Sequence, residues 1–175
     1  MKGFQPVSPE ELENVFHLIG KDWMLITAAG KTPEGADTVN TMTASWGGMG
    51  VLWNKPVAFC FIRPQRYTHT LTEQSERFSL SFFTEAYRPA LRLCGSKSGR
   101  DMDKFAAAGL TPAFCCGVPY VEQARLVLLC RKLYTDVLKK EGFADPALLE
   151  NYTGGDFHRV YAVEIEAAYR KDESI

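Results

Sequence analysis

Two arginines, a tyrosine and a threonine are concentrated in one short stretch, Arg63-Pro-Gln-Arg-Tyr-Thr68. An arginine carries a permanent charge and a planar fork of donors that suits a phosphate. The stretch follows an apolar run, Pro56–Ile62, and leads into a helix-like segment, His69–Ser75, whose N-terminus would add free N–H groups and a favourable dipole. The alternative is a solvated loop whose arginines pair with surface carboxylates. The side chains that could converge on a phosphate are Arg63, Arg66, Tyr67 and Thr68.

A second loop, Cys94-Gly-Ser-Lys-Ser-Gly-Arg-Asp101, has the same character. Its two glycines permit tight turns, and its serine, lysine and arginine side chains offer donors to an anion, while Asp101 could cap a helix that begins there. The GxxxxGK[ST] spacing of a Walker loop and the GxGxxG of a dinucleotide fold are both absent from the sequence. The two alternatives are therefore an anion-binding loop of another kind and an ordinary Gly/Ser loop that caps a helix.

A third segment, Asn40-Thr-Met-Thr-Ala-Ser-Trp-Gly-Gly48, is rich in small and hydroxylic residues. Such residues let a flat ligand approach the backbone closely, and their hydroxyls and N–H groups can bond to heteroatoms on a ring edge. Trp46 could cover one face of that ring. The alternative is a Thr/Ser-rich strand edge followed by a glycine turn.

His158 opens the last apolar segment, with Arg159 beside it. It could provide a hydrogen bond or a proton path near a redox centre, or it could be a partly exposed strand residue. The sequence contains no GxSxG elbow and no HExxH, and the three histidines are far apart. These absences argue against a hydrolase site and against a metal site.

The composition is that of one globular domain spanning residues 1–175, with 46% hydrophobic and 23% charged residues. The net charge of -1 argues against general binding to nucleic acid or to a membrane surface. No segment reads as a signal peptide or a membrane span, so we expect a cytoplasmic protein. The five cysteines have no metal-ligand spacing, and we expect most of them to be reduced core residues.

Hydrophobic periodicity predicts strands without regular intervening helices, which favours an antiparallel sheet closed or nearly closed into a barrel. An N-terminal helix is predicted over residues 8–20, because Ser8 and Glu11 can form a capping box and apolar residues follow at helical spacing. Strands are predicted at Trp23–Ala29, Thr38–Trp46, Pro56–Ile62, Arg77–Phe83, Glu122–Leu138 and His158–Tyr169, with a break at the glycines of 47–50. Helical segments are predicted at His69–Ser75, Glu85–Leu93, Asp101–Ala108 and Pro146–Tyr152.

Taken in order, these motifs resemble the flavin reductase-like family, the FMN-binding split barrels that include flavoredoxin. The resemblance covers nearly the whole chain, and the ordered set is more specific than any one motif. The segments that carry it are Asn40–Gly48, Leu52–Pro56, Arg63–Thr68, Phe78–Phe83, Cys94–Phe105, Gly117–Tyr120, Ala124–Leu126 and Cys130–Tyr134.

The resemblance implies a mainly β, Greek-key split barrel of about six antiparallel strands with peripheral helices. It also implies a homodimer that binds FMN near the subunit interface. Residues that would line the isoalloxazine and ribityl chain are Thr43, Ala44, Ser45 and Trp46. Residues that would hold the phosphate side are Arg63, Arg66, Tyr67 and Thr68. Residues that would close over the flavin are Ser98, Gly99, Arg100, Asp101 and Lys104, with Cys94 in the same loop as either a redox group or a small packed residue.

The function implied is that of an FMN-dependent oxidoreductase that takes electrons from NADH, NADPH or a redox protein partner. Backbone and hydroxyl donors would tune the flavin, with His158 as the candidate catalytic side chain. One alternative is a flavoredoxin-like electron carrier without its own NAD(P)H reductase activity, and another is a sensor or structural dimer without flavin. Many dedicated flavin reductases carry a glycine after the histidine of the last strand, whereas His158–Ile165 contains none. That difference argues against a nicotinamide site built by close backbone approach.

Overall fold

The structure is a computed structural model that describes residues 1–172, and over this range the chain forms ten β-strands and a few short helices. None of the helices in this range has the length and apolarity needed to span a membrane. The strands are β1 (Phe4–Val7), β2 (Met24–Lys31), β3 (Asp37–Ala44), β4 (Gly47–Leu52), β5 (Lys55–Ile62), β6 (Arg77–Phe82), β7 (Pro112–Cys115), β8 (Val118–Val121), β9 (Leu126–Val137) and β10 (Arg159–Lys171). The α-helices are α1 (Val15–His17), α2 (Tyr67–Gln74), α3 (Arg88–Ser96) and α4 (Lys104–Ala108).

Eight of these strands form one antiparallel sheet with the order β3-β2-β6-β9-β10-β5-β4, and β1 pairs with the far end of β10. The two ends of this order, β3 and β4, are consecutive in the chain and are separated only by Ser45 and Trp46. One nearly continuous segment therefore pairs with β2 through its first half and with β5 through its second half. This connection closes the sheet into a barrel, which confirms the predicted fold class.

Both faces of the central strands are buried. Because successive side chains point to opposite faces, each strand contributes to two separate apolar clusters. In β6, Phe78, Leu80 and Phe82 point into the barrel interior. The intervening Ser79 and Ser81 are equally buried on the other face, where the Ser79 hydroxyl donates to Pro119 O at 2.6 Å. On that outer face a second cluster packs α3, α4 and the β7–β8 hairpin against the sheet. This cluster fixes α3 and α4 beside the end of β3.

The predicted helix over residues 8–20 is wrong as a continuous element. The capping box of Ser8 and Glu11 is present, but it caps only a 3-10 turn, Pro9–Glu11, after which Leu12 is extended (φ -66°, ψ 148°). Asn14 then starts α1, which continues as a π-helical turn, Leu18–Asp22. Two cap residues in succession divide the segment, while Leu18 and Ile19 still reach the core.

Four strands were not predicted: β1, β4 and the β7–β8 hairpin. Gly47–Gly48 was expected to break the strand pattern, but a Cβ at Gly47 would lie only 2.6 Å from Phe59 O, so the glycine lets β4 approach β5 closely. The β7–β8 turn places Cys116 at φ 51° and Gly117 at φ 77°, as a two-residue hairpin requires. The prediction of about six strands therefore describes the barrel frame but undercounts its extensions.

The five cysteines are free thiols, as expected. Cys60, Cys94 and Cys130 are buried, whereas Cys115 is half-buried and Cys116 is exposed in the hairpin turn. The expectation of reduced core residues therefore holds for three of the five.

Candidate functional site

A cleft of about 210 Å³ opens at the corner between β3 and β4, and we call it the Trp46 cleft. Trp46 forms its rim, with about half of its surface exposed. The corner exists because the chain leaves the β2 pairing and enters the β5 pairing within two residues, Ser45 and Trp46. The residues that line the cleft are Met42, Thr43, Ala44, Ser45, Trp46, Phe61, Arg63, Arg66 and His158. Residues from three separate predicted motifs thus meet here.

Arg66 lies at the N-cap of α2, and no side chain caps that helix N-terminus. Its guanidinium reaches the other way and donates to Gly95 O at 2.6 Å and to Cys94 O at 3.0 Å, at the C-terminal end of α3. Burial lowers the pKa of Arg66. The residue before α2 thus carries a half-buried guanidinium, and the helix N-terminus that follows it has no side-chain cap. Both features favour an anion.

Lys104 is a second cation at the same point, and this one is buried. It is only 3% exposed, and its Nζ donates to Cys94 O at 3.2 Å. Burial, assisted by the nearby charge of Arg66, lowers the pKa of Lys104 to about 8. The predicted cap of this helix, Asp101, is wrong: Asp103 accepts from Phe105 N and Ala106 N, and α4 begins at Lys104.

We call Arg66 and Lys104 the basic pair, because both donate to the same carbonyl oxygen, that of Cys94. Within residues 1–172 neither side chain forms an ion pair with an aspartate or a glutamate. Two like charges that share a neutral acceptor in a buried setting are unfavourable unless an anion compensates them. The Cys94 thiol is fully buried beneath the pair, and burial raises its pKa, which favours the packed-residue interpretation over a redox group.

The second predicted loop does not reach the Trp46 cleft. Gly99, Arg100, Asp101 and Lys104 line a different cleft of about 820 Å³ together with Tyr67, and the two clefts share no lining residue. The Arg100 guanidinium lies 5.0 Å from the centre of the Tyr67 ring and donates to Gln65 O at 3.0 Å. The Ser98 hydroxyl accepts from Arg100 N at 3.1 Å. The loop is therefore packed against the Arg63–Thr68 segment.

Gly99 explains how that packing positions the N-terminal end of α2. A Cβ there would lie 2.1 Å from Asn40 Oδ1. The buried Asn40 amide in turn donates to Thr68 Oγ1 at 2.9 Å, and Thr68 belongs to the first turn of α2. Thr68 thus supports the helix terminus from inside, and the Thr43 hydroxyl is likewise engaged, since it donates to Leu91 O of α3. Of the predicted ring-binding strand, the backbone, the Ser45 side chain and Trp46 remain available to a ligand.

Arg63 differs from Arg66 in that it is neutralised. It forms an ion pair with Asp156, donates to Asn151 O at 2.8 Å and lies over the Tyr152 ring, 5.1 Å from its centre. Its guanidinium is the first cause of the lowered pKa of Asp156. Arg63 therefore ties the end of β5 to the segment that precedes β10.

His158 lies at the back of the Trp46 cleft and is 6% exposed. Its ring centre is 5.3 Å from that of Trp46, and its Nδ1 is 2.8 Å from the Tyr152 hydroxyl. Burial, followed by the charge of Arg63, lowers the pKa of His158 to about 4. The imidazole is therefore neutral at pH 7. The sequence analysis did not identify Tyr152 and Asp156 as site residues. The helical segment that ends at Tyr152 was predicted, but its contact with His158 and that of Asp156 with Arg63 arise only from the fold.

The chain was also compared with known proteins. The family model described as "Flavin reductase like domain" matches residues 16–174. None of the curated proteins in the comparison matches the chain. Among solved structures, flavoredoxin of Desulfovibrio vulgaris (Miyazaki F) has a TM-score of 0.65 at 22% identity, covering 87% of this chain and 70% of its own.

Two further structures have the same fold. An FMN-binding domain of a flavin reductases-like enzyme from Shewanella baltica OS155 has a TM-score of 0.64 at 19% identity, covering 96% of this chain and 77% of its own. The NADH:FAD oxidoreductase SgcE6 of Streptomyces globisporus C-1027 has a TM-score of 0.61 at 17% identity, covering 85% and 75%. At these identities the structures show the shared fold, and the match over residues 16–174 shows the family. The chain belongs to the flavin reductase-like family.

Proposed function

We propose that this chain binds FMN at the Trp46 cleft and acts as an FMN-dependent oxidoreductase, passing electrons through the flavin from NAD(P)H or from a redox protein. The observation that carries the proposal is the basic pair, the half-buried Arg66 and the buried Lys104, two cations without a carboxylate partner among the described residues. Arg66 adjoins an uncapped helix N-terminus and lines the cleft rimmed by a half-exposed indole, while Lys104 lines the 820 Å³ cleft and meets Arg66 at Cys94 O. FMN combines a phosphate with a flat ring, so this donor set fits both ends of it.

The residues divide between the two ends of the ligand. Arg66, the N–H groups at the start of α2 and Lys104 would hold the phosphate by charge and hydrogen bonds. The backbone of Thr43–Ser45 would bond to the ring edge, and Trp46 would cover a ring face and exclude water. His158 would contribute a neutral ring nitrogen to the same cleft. Bound FMN would supply the redox chemistry, while the protein supplies orientation and electrostatics.

The residues of the second loop take a supporting role in this proposal. Gly99 packs against Asn40, which bonds to Thr68, and Arg100 lies over Tyr67. Through these contacts Ser98–Asp101 would hold the start of α2 in place for the phosphate. Direct contact of that loop with FMN, as the family resemblance implies, is a separate proposal.

A titration with FMN and with riboflavin tests the phosphate assignment, because riboflavin has the same ring and no phosphate. In Arg66→Met we expect the dissociation constant for FMN to rise roughly 10- to 100-fold, the range of one lost charge-assisted hydrogen bond, while that for riboflavin changes little. The matched control is Arg77→Met. Arg77 is the first residue of β6, shortly after the C-terminal end of α2, and its guanidinium forms an ion pair with Glu166. Equal losses for both ligands in Arg66→Met, or no loss for either, would contradict the assignment.

A flavoredoxin-like electron carrier is the second candidate. It is favoured by β10, which runs from Arg159 to Lys171 without a glycine and so offers a nicotinamide no close approach to its backbone. Anaerobic addition of NADH and then NADPH to the flavin-loaded protein separates the two functions. Rapid bleaching with either nucleotide supports the reductase, and bleaching only with dithionite supports the carrier. A protein that takes up no FMN would leave the flavin-free sensor or structural dimer.

A homodimer is part of the proposal, supported by an apolar surface around the cleft. Phe16 is 89% exposed and Val51 79%, and Trp46 and Trp53 are about half exposed. Phe16 and Trp46 line one groove together with Met49. A second copy covering this surface would enclose the flavin ring. Sedimentation velocity measures the mass directly, and a monomer at micromolar concentration would count against the dimer.

The free thiols are consistent with the proposed cytoplasmic location.

A further inference from the structure

We infer that Tyr152 is a positioning residue that holds His158 in one neutral tautomer, so that its Nε2–H faces the Trp46 cleft as a fixed hydrogen-bond donor. The ligand class that such a donor takes is a flat ring that carries a neutral acceptor such as a carbonyl oxygen. The tautomer is a property of the protein alone. Only the identity of the ring rests on the proposed function.

The first step is that the two side chains are held together. The Tyr152 hydroxyl and His158 Nδ1 are 2.8 Å apart, and both residues are more than nine-tenths buried. The Tyr152 ring stacks on Phe157 with centres 4.9 Å apart and planes 16° apart, and Phe143 packs on it edge-on at 5.6 Å. This aromatic cluster leaves the tyrosine ring no room to turn away from the imidazole.

The second step is the direction of the hydrogen bond. A neutral imidazole has one N–H donor and one acceptor nitrogen, and a phenol can both donate and accept. No other hydrogen bond to the Tyr152 hydroxyl is found among residues 1–172, so a phenol hydrogen that did not point to Nδ1 would be buried without an acceptor. The guanidinium of Arg63 over the ring face draws electron density from it and favours donation. Tyr152 therefore donates, Nδ1 accepts, and the imidazole proton is on Nε2.

The third step is where Nε2 lies. His158 lines the Trp46 cleft, and its Nδ1 side is closed by Tyr152. Nε2 is not among the fully buried atoms that lack a partner, and within residues 1–172 no protein group bonds to it. It is thus the one polar atom of the ring that a ligand can reach. Burial and then the charge of Arg63 disfavour the imidazolium, and the smaller opposing effect of the Asp156 charge does not offset them, so the donor is neutral at pH 7.

A neutral donor complements the basic pair rather than repeating it. Arg66 and Lys104 attract a phosphate by charge, whereas a neutral Nε2–H gives an anion no comparable attraction and suits a carbonyl oxygen. The Trp46 ring beside His158 favours a flat group at the same place. The cleft would therefore recognise a charged end and an uncharged carbonyl end by different means.

The tautomer is measured by long-range ¹H–¹⁵N NMR on ¹⁵N-histidine-labelled protein without ligand at pH 7, with His158 assigned by its loss in His158→Gln. We expect a proton on Nε2 and an unprotonated Nδ1 in the wild type. In Tyr152→Phe we expect both ring nitrogens to move toward the averaged values of exchanging tautomers. The control, Tyr134→Phe, removes an exposed hydroxyl bonded to Asp136 and should leave His158 unchanged. A wild type protonated on Nδ1 overturns the inference whether or not the variant folds.

Lumiflavin, which has the flavin carbonyls and no phosphate, probes the ligand class. We expect its addition to shift the His158 Nε2–H resonance, and we expect Tyr152→Phe to raise its dissociation constant roughly 3- to 10-fold, as for one neutral hydrogen bond. Lumiflavin that binds without moving that resonance would overturn the assignment of the donor to a ring carbonyl. An Nε2–H tautomer in a protein that binds neither FMN nor lumiflavin would instead reject the proposed function while leaving the role of Tyr152 intact.

Discussion

Arg63 and Arg66 are three positions apart, but the protein balances their charges in different ways. Arg63 meets a carboxylate, that of Asp156, and also a backbone carbonyl and an aromatic ring. Among residues 1–172, the Arg66 guanidinium donates only to the backbone carbonyls of Cys94 and Gly95. The first guanidinium is neutralised within the chain, while the second keeps a positive charge beside a cleft.

The difference shows which of two similar side chains is available to a ligand. In the sequence both arginines belong to one candidate phosphate motif. In the structure Arg63 anchors the segment that carries Tyr152 and leads into His158, so it acts on the ring end of the cleft through other residues. Arg66, with Lys104, forms the end that we propose binds the phosphate. A residue whose charge the protein leaves uncompensated is a better candidate for ligand binding than one that is merely cationic and nearby.

The largest effect that separates the two arginines is on the pH dependence of stability, through His158. Its pKa is about 4 in the folded protein against 6.5 for an ordinary histidine, because of burial first and the charge of Arg63 second. The unfolded chain therefore binds more protons between these values, and the free energy of unfolding falls as the pH is lowered from 6.5. Between pH 6.5 and 4.5 we expect a loss of about 2 to 3 kcal/mol from this residue.

Denaturant unfolding at pH 6.5, 5.5 and 4.5 measures this loss. The loss should be smaller in Arg63→Met, whose His158 pKa rises, and unchanged in Arg66→Met. His158→Gln removes the contribution and leaves that of His69, whose pKa burial also lowers. Identical pH profiles for the two arginine variants would contradict the distinction between them.

Arg63→Met should also lower the free energy of unfolding at pH 7, because it leaves the Asp156 carboxylate and Asn151 O without the cation that both accept from. We also expect faster proteolysis within residues 140–157, because Arg63 connects this segment to β5. The double variant Arg63→Met/Asp156→Asn removes both charges and should recover part of the loss. The ratio of FMN to riboflavin affinity should stay near the wild-type value, unlike in Arg66→Met. A lowered ratio with unchanged stability would assign Arg63 to the phosphate after all.

The parts of this architecture that could be predicted from the sequence are those set by local pattern. The period-two alternation of β6 and the apolar run of β5 mark the barrel strands, and the fold class follows from them and from the family resemblance. The strand β4 could not be predicted, because Gly47 allows it to approach Phe59 O closely and this contact exists only in the closed barrel. The prediction of one continuous N-terminal helix is wrong because a second N-cap residue, Asn14, starts a new helix where the apolar spacing indicates continuity.

For the site, the sequence identified the residue types but not their partners. The cleft brings together Thr43–Trp46, Arg63, Arg66 and His158, which are among the predicted residues. The partners of Arg63 and His158 are Asp156, in an irregular segment, and Tyr152, at the end of a 3-10 helix, and their roles depend on contacts made across the fold. The resemblance implied that Lys104 closes over the flavin, whereas in the structure it is buried against the same carbonyl as Arg66.

Substitution of Lys104 has the smallest expected effect, but it tests an uncompensated charge most directly. The free energy of unfolding should rise while the affinity for FMN falls. Burial lowers its pKa to about 8, so at pH 7 the folded protein bears the cost of a buried ammonium. Lys104→Met keeps the volume of the side chain and removes that cost, and we expect the ligand-free protein to gain about 1 kcal/mol at pH 7, after the loss of the bond to Cys94 O.

The wild-type protein should approach the variant in stability as the pH rises from 8 toward 10.5, because over that range the folded state loses its Lys104 proton before the unfolded state does. FMN affinity should fall in the variant while riboflavin affinity is retained. The control, Lys97→Met, removes an exposed cation of the loop that precedes α4 and should change neither quantity by much. A Lys104→Met protein that is less stable at pH 7 and binds FMN normally would show that the lysine serves the fold through Cys94 O. In that case Arg66 would be the only member of the basic pair with charge available to a ligand.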